Sequence, residues 1–558
     1  MKLLPRFLAE DDDEDEEVEG RAVEAESTHS VEIASSPRPL HWGWTVAIAA
    51  GAALPRLLYL FVFTDPENPG IRRYGDVWHH WQIAYLTKEI GLTAPDGPRL
   101  WDLKGLDYFW GILHPLLMVV VFDLTGSIDI VLDRLVSLAF GVLVVVLLFH
   151  ICRRYWGTQV ALGATLIATL LPTSVMNDAS GMIEPLGVSL VLLGVWAWPR
   201  KGGFWAGLAF GLATMARAEA WVFSLGLVIA AFFRREGWQQ RLPLLAGFVG
   251  VMLLYMKILQ DKTGNAIYPL WWNFLANAVG KWEFVPVSPS QASVRPVLGA
   301  ALILAAIGLG WCLVKRPPSY MLLTFGFGYW VFVAGMLGFT SYLASWVWWM
   351  PITRVFAFPY VFAGVLVSLV LLWWAPRKFG RRVMPLAWSG IVATLLLAQL
   401  AWIPIGQVFG PSEAAWLAVK AESIQLGAWY NQAPYIGHGL AVPPDRPDIT
   451  YGLARFGGVE GKHLVSEMYD PFAYLPANYS YVDHQAVVTT LFECWLGDTD
   501  IRLIAVPAGD PNFALLQQSN PSWFVSLGSM PEASWEIVGV SAPRPTASDC
   551  EVARSAAH

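Results

Sequence analysis

The sequence predicts a polytopic α-helical membrane protein that carries a soluble α/β domain after its last span. Of its 558 residues, 55% are hydrophobic and only 15% are charged, whereas soluble globular chains carry about 25% charged residues. About eleven stretches reach the roughly 20 mostly apolar residues that a spanning helix needs. The 29 Trp and 18 Tyr residues suit the aromatic belts at bilayer interfaces.

The predicted spans make up a membrane domain of residues 42–404. They begin near Trp44, Asp129, Thr158, Glu184, Phe204, Ala220, Leu242, Val297, Tyr320, Ile352 and Met384. The stretch 111–124 is apolar but short, and we expect it to lie at the interface without crossing. If this stretch does not cross, the basic residues fall on every second loop, as expected because positively charged loops stay cytoplasmic. The amino terminus is then cytoplasmic, and everything after Pro404 is outside.

The first 41 residues differ from the rest of the chain. Residues 1–40 hold twelve acids and four bases, a net charge of −8, while the whole chain carries −7. A block of like charges with almost no aromatic residues cannot bury enough surface to order itself. We therefore expect a disordered cytoplasmic tail. It is not a signal peptide, because no basic start precedes an apolar core.

Two outside segments are too long to be simple connectors. The first is the outer loop 64–128, and the second is residues 405–558, whose mixed composition predicts a small extracytoplasmic α/β domain. Within it, 486–492 and 501–507 are predicted to be short strands. Cys494 and Cys550 also lie there. They can pair in an oxidising compartment, but the sequence alone leaves the pairing open.

The first outer loop opens on an acid, two imidazoles and several aromatic rings. The apolar spacing over residues 77–90 predicts a helix with Asp76 at its start, near the membrane face. Asp76 is the candidate catalytic residue, and His79 and His80 are candidate substrate-binding groups. The alternative is that Asp76 only caps the helix, because Asp is a favoured residue there whatever the function.

Glu184 begins the predicted fourth span. An acid that enters the apolar zone usually faces a wet cavity or a partner, so Glu184 is a candidate substrate-binding residue. The alternative is a helix-start charge, helped by Pro185 in the first turn. Asp178, six positions earlier, is expected to be a solvated loop acid.

Three further charged residues lie at the membrane boundary. Arg217 and Glu219 stand between two short apolar runs, and at a spacing of two they cannot face each other on one helix. We expect each of them to pair elsewhere. Arg354 opens the predicted tenth span on the same side, where a guanidinium suits bidentate contact with phosphate. The alternative for Arg354 is snorkelling to lipid headgroups.

The order of these features resembles a known family. A single span is followed by a large outer loop with an early Asp and an interfacial helix that begins with His114 and Pro115. Residues 132–137 (Leu-Asp-Arg-Leu-Val-Ser) then lead into span two, which ends in residues 152–157 (Cys-Arg-Arg-Tyr-Trp-Gly). This layout is similar to the polytopic glycosyltransferases of the GT-C superfamily, nearest the protein O-mannosyltransferase and lipid A aminoarabinose transferase branch. The resemblance covers roughly residues 44–374.

The resemblance implies a function and roles for individual residues. Asp76 matches the acid that acts as catalytic base, Glu184 the acid at the start of span four, and Arg354 an arginine that contacts the donor phosphate. The implied reaction moves a sugar from a polyprenyl-phosphate donor to a hydroxyl of a glycan, lipid or protein acceptor. It inverts the anomeric configuration and needs no cofactor. The site would lie on the extracytoplasmic face of an integral, multi-pass membrane protein, in the plasma membrane if the source is prokaryotic.

Two departures from the family qualify this implication. Many relatives have two adjacent acids in the first loop, whereas Asp76 is followed by Val77, and this bears on the class of substrate. The Trp-Trp-Asp-Tyr-Gly motif of oligosaccharyltransferases is absent from the outer domain. That absence argues against transfer of a whole oligosaccharide.

Three alternatives stay open at this point. One is an oligosaccharyltransferase-like enzyme with a lipid-pyrophosphate donor and a divalent metal, for which Asp76, His79, His80 and Glu184 would offer oxygen and nitrogen ligands. A second is a multispan transporter, although the sequence has no internal repeat and its charges concentrate at one face. The third is a scaffold whose outer domain binds a partner. No nucleic acid is expected as a partner.

Overall fold

The computed structural model describes residues 42–68, 76–92, 106–232, 237–274, 295–343, 354–379, 384–402, 413–442, 446–465, 485–498, 500–509, 511–530, 535–543 and 545–557. The predicted acidic tail, residues 1–41, lies outside them.

The first part of the chain is helical throughout its described residues. The helices are α1 (Trp42–Leu58, continued by a π-helical turn, Tyr59–Phe63), α2 (Asp76–Ile90), α3 (Leu106–Phe109), α4 (Leu113–Thr125), α5 (Ile130–Trp156), α6 (Thr158–Leu170), α7 (Pro172–Ala179), α8 (Glu184–Ala197), α9 (Gly203–Ala216), α10 (Glu219–Phe232), α11 (Trp238–Thr263), α12 (Tyr268–Phe274), α13 (Arg295–Lys315), α14 (Tyr320–Leu343), α15 (Ala357–Leu369), α16 (Ala375–Phe379) and α17 (Met384–Trp402). Short 3-10 turns stand at Trp198–Arg200 and Arg354–Phe356, and a second π-helical turn, Val370–Trp374, joins α15 to α16.

Six helical segments among the described residues are long and apolar enough to cross a membrane. They are Trp42–Phe63, Ile130–Trp156, Trp238–Thr263, Arg295–Lys315, Ala357–Lys378 and Met384–Ala401. Helices α6 and α7 would make a seventh span if taken together, although they are bent by 61°. The protein is therefore a mostly helical chain with six or seven candidate spans.

Among the described residues, the predicted number of about eleven spans is not confirmed. Each predicted stretch coincides with a helix, but α8, α9 and α10 have only 14 residues each. At about 1.5 Å per residue such a helix covers roughly 21 Å, less than the hydrocarbon core of about 30 Å. Helix α4, with 13 residues, is also short, as expected for a segment that does not cross.

Helix α5 is the centre of the bundle. It packs against α1, α6, α7 and α8, and its buried side includes Gly141, Val145 and Leu148. Helices α9 and α11 approach each other through Gly207 and Gly247, where an added Cβ would come within 2.4 Å of the partner's backbone. Small residues at such contacts are typical of helix pairs in membranes.

The last part of the chain contains a mixed sheet. Its elements are α18 (Glu413–Tyr430), β1 (Gly439–Ala441), α19 (Pro447–Arg455), a 3-10 turn (Gly461–His463), β2 (Leu464–Val465), α20 (Gln485–Asp498), β3 (Ile501–Pro507), α21 (Pro511–Ser519), a 3-10 turn (Pro521–Trp523), β4 (Phe524–Met530), β5 (Trp535–Val540) and α22 (Ala547–Ala557). The strand order is β2-β1-β3-β5-β4. Strand β1 runs parallel to β2 and β3, whereas β5 runs antiparallel to β3 and β4.

The two faces of this sheet pack into different cores. Side chains alternate along a strand, so Leu503 and Ile537 join a cluster that also contains residues of α2 and α4. Ile504 and Val538 point the other way, into a cluster within the sheet region itself. One face of the sheet therefore shares a hydrophobic core with the membrane part of the chain.

Of the two predicted strands, one is correct and one is wrong. Residues 501–507 form β3, but 486–492 lie within helix α20. Their β-branched residues suit a strand locally, yet Phe492 and Leu496 are spaced for one face of a helix and are buried in the sheet's own core. The helix also brings Cys494 to Cys550 of α22, and the two form a disulfide with Cα atoms 5.7 Å apart.

Candidate functional site

The start of helix α2 lies against the turn that joins α7 to α8. Asp76 is the first residue of α2, and its neighbour Val77 packs on Gly181. Gly181 has φ +86°, and a Cβ added there would lie 2.3 Å from Val77 Cγ2. His80 Nδ1 lies 3.4 Å from the carbonyl oxygen of the same glycine. The predicted helix after Asp76 is thus confirmed, and its first turn faces the turn that leads to Glu184.

The Asp-Arg-Leu-Val-Ser stretch at the start of α5 holds this turn in place. Arg134 Nε donates to the carbonyl of Ala179 at 2.9 Å, and Ser137 Oγ donates to that of Met182 at 2.7 Å. Arg134 Nη1 also donates to the carbonyl of Asp65 at 2.7 Å. One buried guanidinium therefore ties the segment after the first helix to the α7–α8 turn.

The His-Pro pair of α4 is fixed to the same stretch. His114 Nε2 and Asp133 Oδ1 are 2.7 Å apart, with both residues buried. The ring of His80 packs edge-on against Trp110 and lies 5.8 Å from that of His114. His80 is therefore part of a packed aromatic and imidazole cluster beside the start of α2.

Glu184, Arg217 and Glu219 form one buried cluster. Arg217 Nη1 lies 3.2 Å from Glu184 Oε1, and its Nη2 lies 2.7 Å from Glu219 Oε1. The expectation that Arg217 and Glu219 do not pair with each other is wrong, although Arg217 also pairs elsewhere, with Glu184. Arg217 has extended backbone angles (φ −149°, ψ 140°) between α9 and α10, so the helix spacing rule does not apply to it.

Asp178 lies in a second buried ion pair, which sequence reasoning missed. Its Oδ2 accepts from Arg56 Nε at 2.8 Å and lies 2.7 Å from Nη2. The prediction that Asp178 is a solvated loop acid is therefore wrong. Asp178 is buried against Gly141, and a Cβ added at Gly141 would lie 2.3 Å from the Asp178 carboxylate. Arg56 is itself 1% exposed. An arginine inside the first apolar run was the available signal, because ionisable groups in spans usually have a partner.

The Arg56–Asp178 pair and Glu184 line a narrow cavity between α1, α5, α6, α7, α8, α14 and α15. Arg56, Asp178 and Glu184 contribute its charged groups, and Tyr329 and Phe358 part of its aromatic wall. Glu184 also borders a neighbouring cavity that Arg217 and Glu219 line.

Arg354 begins the 3-10 turn that packs against α7. Its side chain lies outside the described residues, so its predicted contact with phosphate stays a prediction.

His79 lies beside two carboxylates. Desolvation lowers the pKa of His79, and the charges of Asp76 and Asp448 act in the opposite direction. Among the described residues, no group of three or more His, Cys, Asp or Glu side chains is arranged to hold a metal ion. Asp76, His79, His80 and Glu184 are thus not gathered as the metal-dependent alternative would require.

Residues 111–259 match the family model of dolichyl-phosphate-mannose-protein mannosyltransferases. The matched segment runs from the residue before the His-Pro helix into α11, and it contains the α5 stretch, the α7–α8 turn and the Glu184 cluster. This match agrees with the resemblance to GT-C glycosyltransferases over residues 111–259, about a quarter of the chain. No match was found among curated proteins.

Several solved structures are similar at low identity. A structure of ArnT from Cupriavidus metallidurans in the apo state aligns with a TM-score of 0.46 and 14% identity, over 90% of this chain and 99% of that chain. The archaeal oligosaccharyltransferase AglB from Archaeoglobus fulgidus, in complex with an inhibitory peptide and a dolichol-phosphate, gives 0.44 and 13%, over 83% and 69%. The arabinofuranosyltransferase AftD from Mycobacteria gives 0.47 and 12%, over 91% and 40%.

Proposed function

We propose that this chain is a membrane glycosyltransferase of the GT-C type, which moves a sugar from a polyprenyl-phosphate donor to an acceptor hydroxyl with Asp76 as the general base. The match of residues 111–259 to the mannosyltransferase family model supports the proposal. One observation carries the proposal. The helix that starts at Asp76 packs through Val77 on Gly181, three positions before the buried Glu184. An acid of the first outer loop and an acid of the fourth predicted span thus belong to one packed region.

In the proposed reaction, Asp76 takes the proton of the acceptor hydroxyl while the hydroxyl oxygen attacks the anomeric carbon. The bond between that carbon and the phosphate oxygen breaks, and the lipid phosphate leaves with the electron pair. Attack opposite the leaving group inverts the anomeric configuration. Arg354 stabilises the charge that builds on the departing phosphate, because a fixed cation near that oxygen favours the transition state.

The buried cluster around Arg217 has a different role in this proposal. Arg217 already contacts both Glu184 and Glu219, so its guanidinium is engaged by two carboxylates. We assign to Arg217 the task of holding Glu184 in place, so that its carboxylate can accept hydrogen bonds from substrate hydroxyls. His79, in the first turn of the same helix, is the imidazole that could contact the acceptor, whereas the buried His80 supports the start of α2.

The experiment compares Asp76→Asn with a matched control in purified full-length protein. Each variant receives radiolabelled polyprenyl-phosphate monosaccharides, with a membrane extract of the source organism as acceptor. Losing a general base should slow transfer by about 10²-fold to 10⁴-fold. The control is Asp123→Asn, which changes an exposed carboxylate that pairs with Lys88 of α2. It should keep near-normal turnover, and near-normal turnover of Asp76→Asn would remove Asp76 as the base.

The same assay separates the alternatives. Transfer that survives a chelator opposes the metal-dependent oligosaccharyltransferase. A transporter would move labelled substrate across a vesicle membrane without forming a new glycosidic bond. Analysis of the product's anomeric configuration by NMR tests inversion, since retention would require a different mechanism.

We further propose that the sheet domain, residues 405–558, is extracytoplasmic and that the acidic tail, residues 1–41, is cytoplasmic. The disulfide between Cys494 and Cys550 supports this, because disulfides persist in oxidising compartments. Protease added to intact cells should cleave a site inserted near the carboxyl terminus but not one in the tail. The reverse result would invert the orientation.

A further inference from the structure

The sheet domain reaches the Asp76 helix directly. Helix α2 presents Trp78, Trp81 and Tyr85 on one face, and all three are buried. Trp78 stacks on Trp416 of α18 with ring centroids 5.6 Å apart. Tyr85 packs on the sheet region too, at Gly461, where an added Cβ would meet its ring at 2.6 Å.

Tyr451 of α19 is the residue that joins these contacts. Its ring lies 5.2 Å from that of Trp78 and 4.8 Å, edge-on, from that of Trp81. Its hydroxyl donates to Asp129 Oδ1 at 3.1 Å and accepts from the backbone N–H of Ile130 at 3.4 Å. One buried tyrosine therefore packs on the Asp76 helix and is anchored to the first residues of α5.

The anchoring point matters because α5 also fixes the α7–α8 turn, on which the neighbouring face of α2 packs through Val77. A few residues beyond Ile130, Arg134 and Ser137 hold the turn on which Val77 packs. The Asp76 helix thus lies between two supports that both start from the first turns of α5. The sheet domain supplies one of them through Tyr451.

Charged contacts strengthen the same docking. Lys420 Nζ lies 2.8 Å from Glu67 Oε2, and Arg455 Nη2 lies 3.3 Å from Asp129 Oδ2. These two ion pairs join the sheet domain to the segments that precede α2 and α5.

We propose that Tyr451 is a positioning residue for Asp76, and that the sheet domain acts on the reaction by holding the Asp76 helix at the membrane face. This inference rests on the proposed function, in which Asp76 is the base. Tyr451 touches no substrate in it. Its ring fixes the face of α2 that carries Trp78 and Trp81, and its hydroxyl fixes the distance from that face to α5.

The test uses full-length protein with Tyr451→Ala, Tyr451→Phe and a matched control, Phe513→Ala. Phe513 is also a buried aromatic of the sheet region, but it belongs to the core on the other face of the sheet. The first readout is hydrogen exchange of the α2 amides, which needs no enzymatic activity. Tyr451→Ala should raise their exchange rate about tenfold or more because α2 opens more easily. Phe513→Ala should leave it unchanged.

The second readout is kinetic. A helix displaced by about 1 Å costs up to about 10²-fold in rate, so Tyr451→Ala should lower kcat by about 10-fold to 100-fold and change the donor KM less than about threefold. Tyr451→Phe keeps the ring and should recover most of that loss, whereas a merely structural residue would lower the yield of folded protein at unchanged kcat. If Tyr451→Ala does not fold, Tyr451→Phe, which lacks only the hydroxyl, serves as the test. It should show a smaller loss in kcat and a smaller rise in the exchange rate of the α2 amides.

The outcomes separate the two proposals. Unchanged exchange of α2 in Tyr451→Ala, or an equal kcat loss in Phe513→Ala, overturns the positioning role whatever the enzyme does. Faster α2 exchange in a protein whose Asp76→Asn variant transfers sugar normally would uphold the docking contact and overturn the role of Asp76. In that case Tyr451 would position α2 for some other purpose, and the inference as stated fails.

Discussion

Replacing Gly181 by alanine should both strain the backbone and push the Asp76 helix away from its neighbour. At φ +86° an alanine costs about 1–2 kcal/mol. Its Cβ would stand 2.3 Å from Val77 Cγ2, and overpacking of this kind costs about 1–3 kcal/mol. The free energy of unfolding of Gly181→Ala should therefore fall by about 2–5 kcal/mol. Gly437→Ala is the matched control, because Gly437 has φ +85° but nothing within 4 Å, and it should lose only the backbone part.

A second substitution isolates the steric part. Val77→Ala alone should cost about 2 kcal/mol for its buried methyl groups, but beside an alanine at position 181 it also removes the clash. The double variant should be about 1–3 kcal/mol more stable than the sum of the two single effects. Equilibrium unfolding in detergent micelles, followed by circular dichroism, measures all four proteins. Additivity within about 0.5 kcal/mol would refute the contact between α2 and the α7–α8 turn.

The remaining predictions concern buried charges and the disulfide. Asp178→Ala leaves Arg56 buried without its partner and should lower the free energy of unfolding by about 3–5 kcal/mol. Asp123→Ala removes one member of an exposed pair and should change it by about 1 kcal/mol or less. Equal effects of the two substitutions would contradict the burial of the Arg56–Asp178 pair. Cys550→Ser should cost about 2–4 kcal/mol, and a reducing agent should lower the Tm of the parent protein but not of this variant. Arg217→Lys keeps the charge but not the fork that spans two glutamates, so it should lower kcat more than it raises the donor KM. A tenfold rise in that KM at unchanged kcat would instead indicate direct phosphate contact.

Local patterns were enough to predict the helix after Asp76, because the spacing of apolar residues along a single helix depends only on residues that are close in sequence. The two ion pairs were not predictable in this way. Asp178 and Arg56 are separated by 122 positions, and only the packing of the bundle brings them together. Arg217 and Glu219 are close in sequence, but their contact needs a break between two helices whose position the apolar pattern does not fix.

The span count and the sheet show a similar limit. Apolar composition marks where a helix enters the bundle, but the 14-residue length of α8, α9 and α10 depends on where each one stops. Residues 486–492 have strand-like composition, yet burial of Phe492 and Leu496 on one side favours a helix. Tertiary packing overrides β-propensity in such cases.

The hydrophobic core that α2 shares with the sheet domain has a consequence for how the protein is made. Tyr451 follows its hydroxyl's partner, Asp129, by 322 positions. At about 5–20 residues per second, a ribosome needs roughly 15–60 s to add that stretch. Throughout this interval the indole rings of α2 are already synthesised and have no cover from the later segment. Biogenesis must therefore shield that face, either with membrane lipid or with a chaperone, and a nascent chain arrested before residue 413 would be a ready substrate for quality-control proteases.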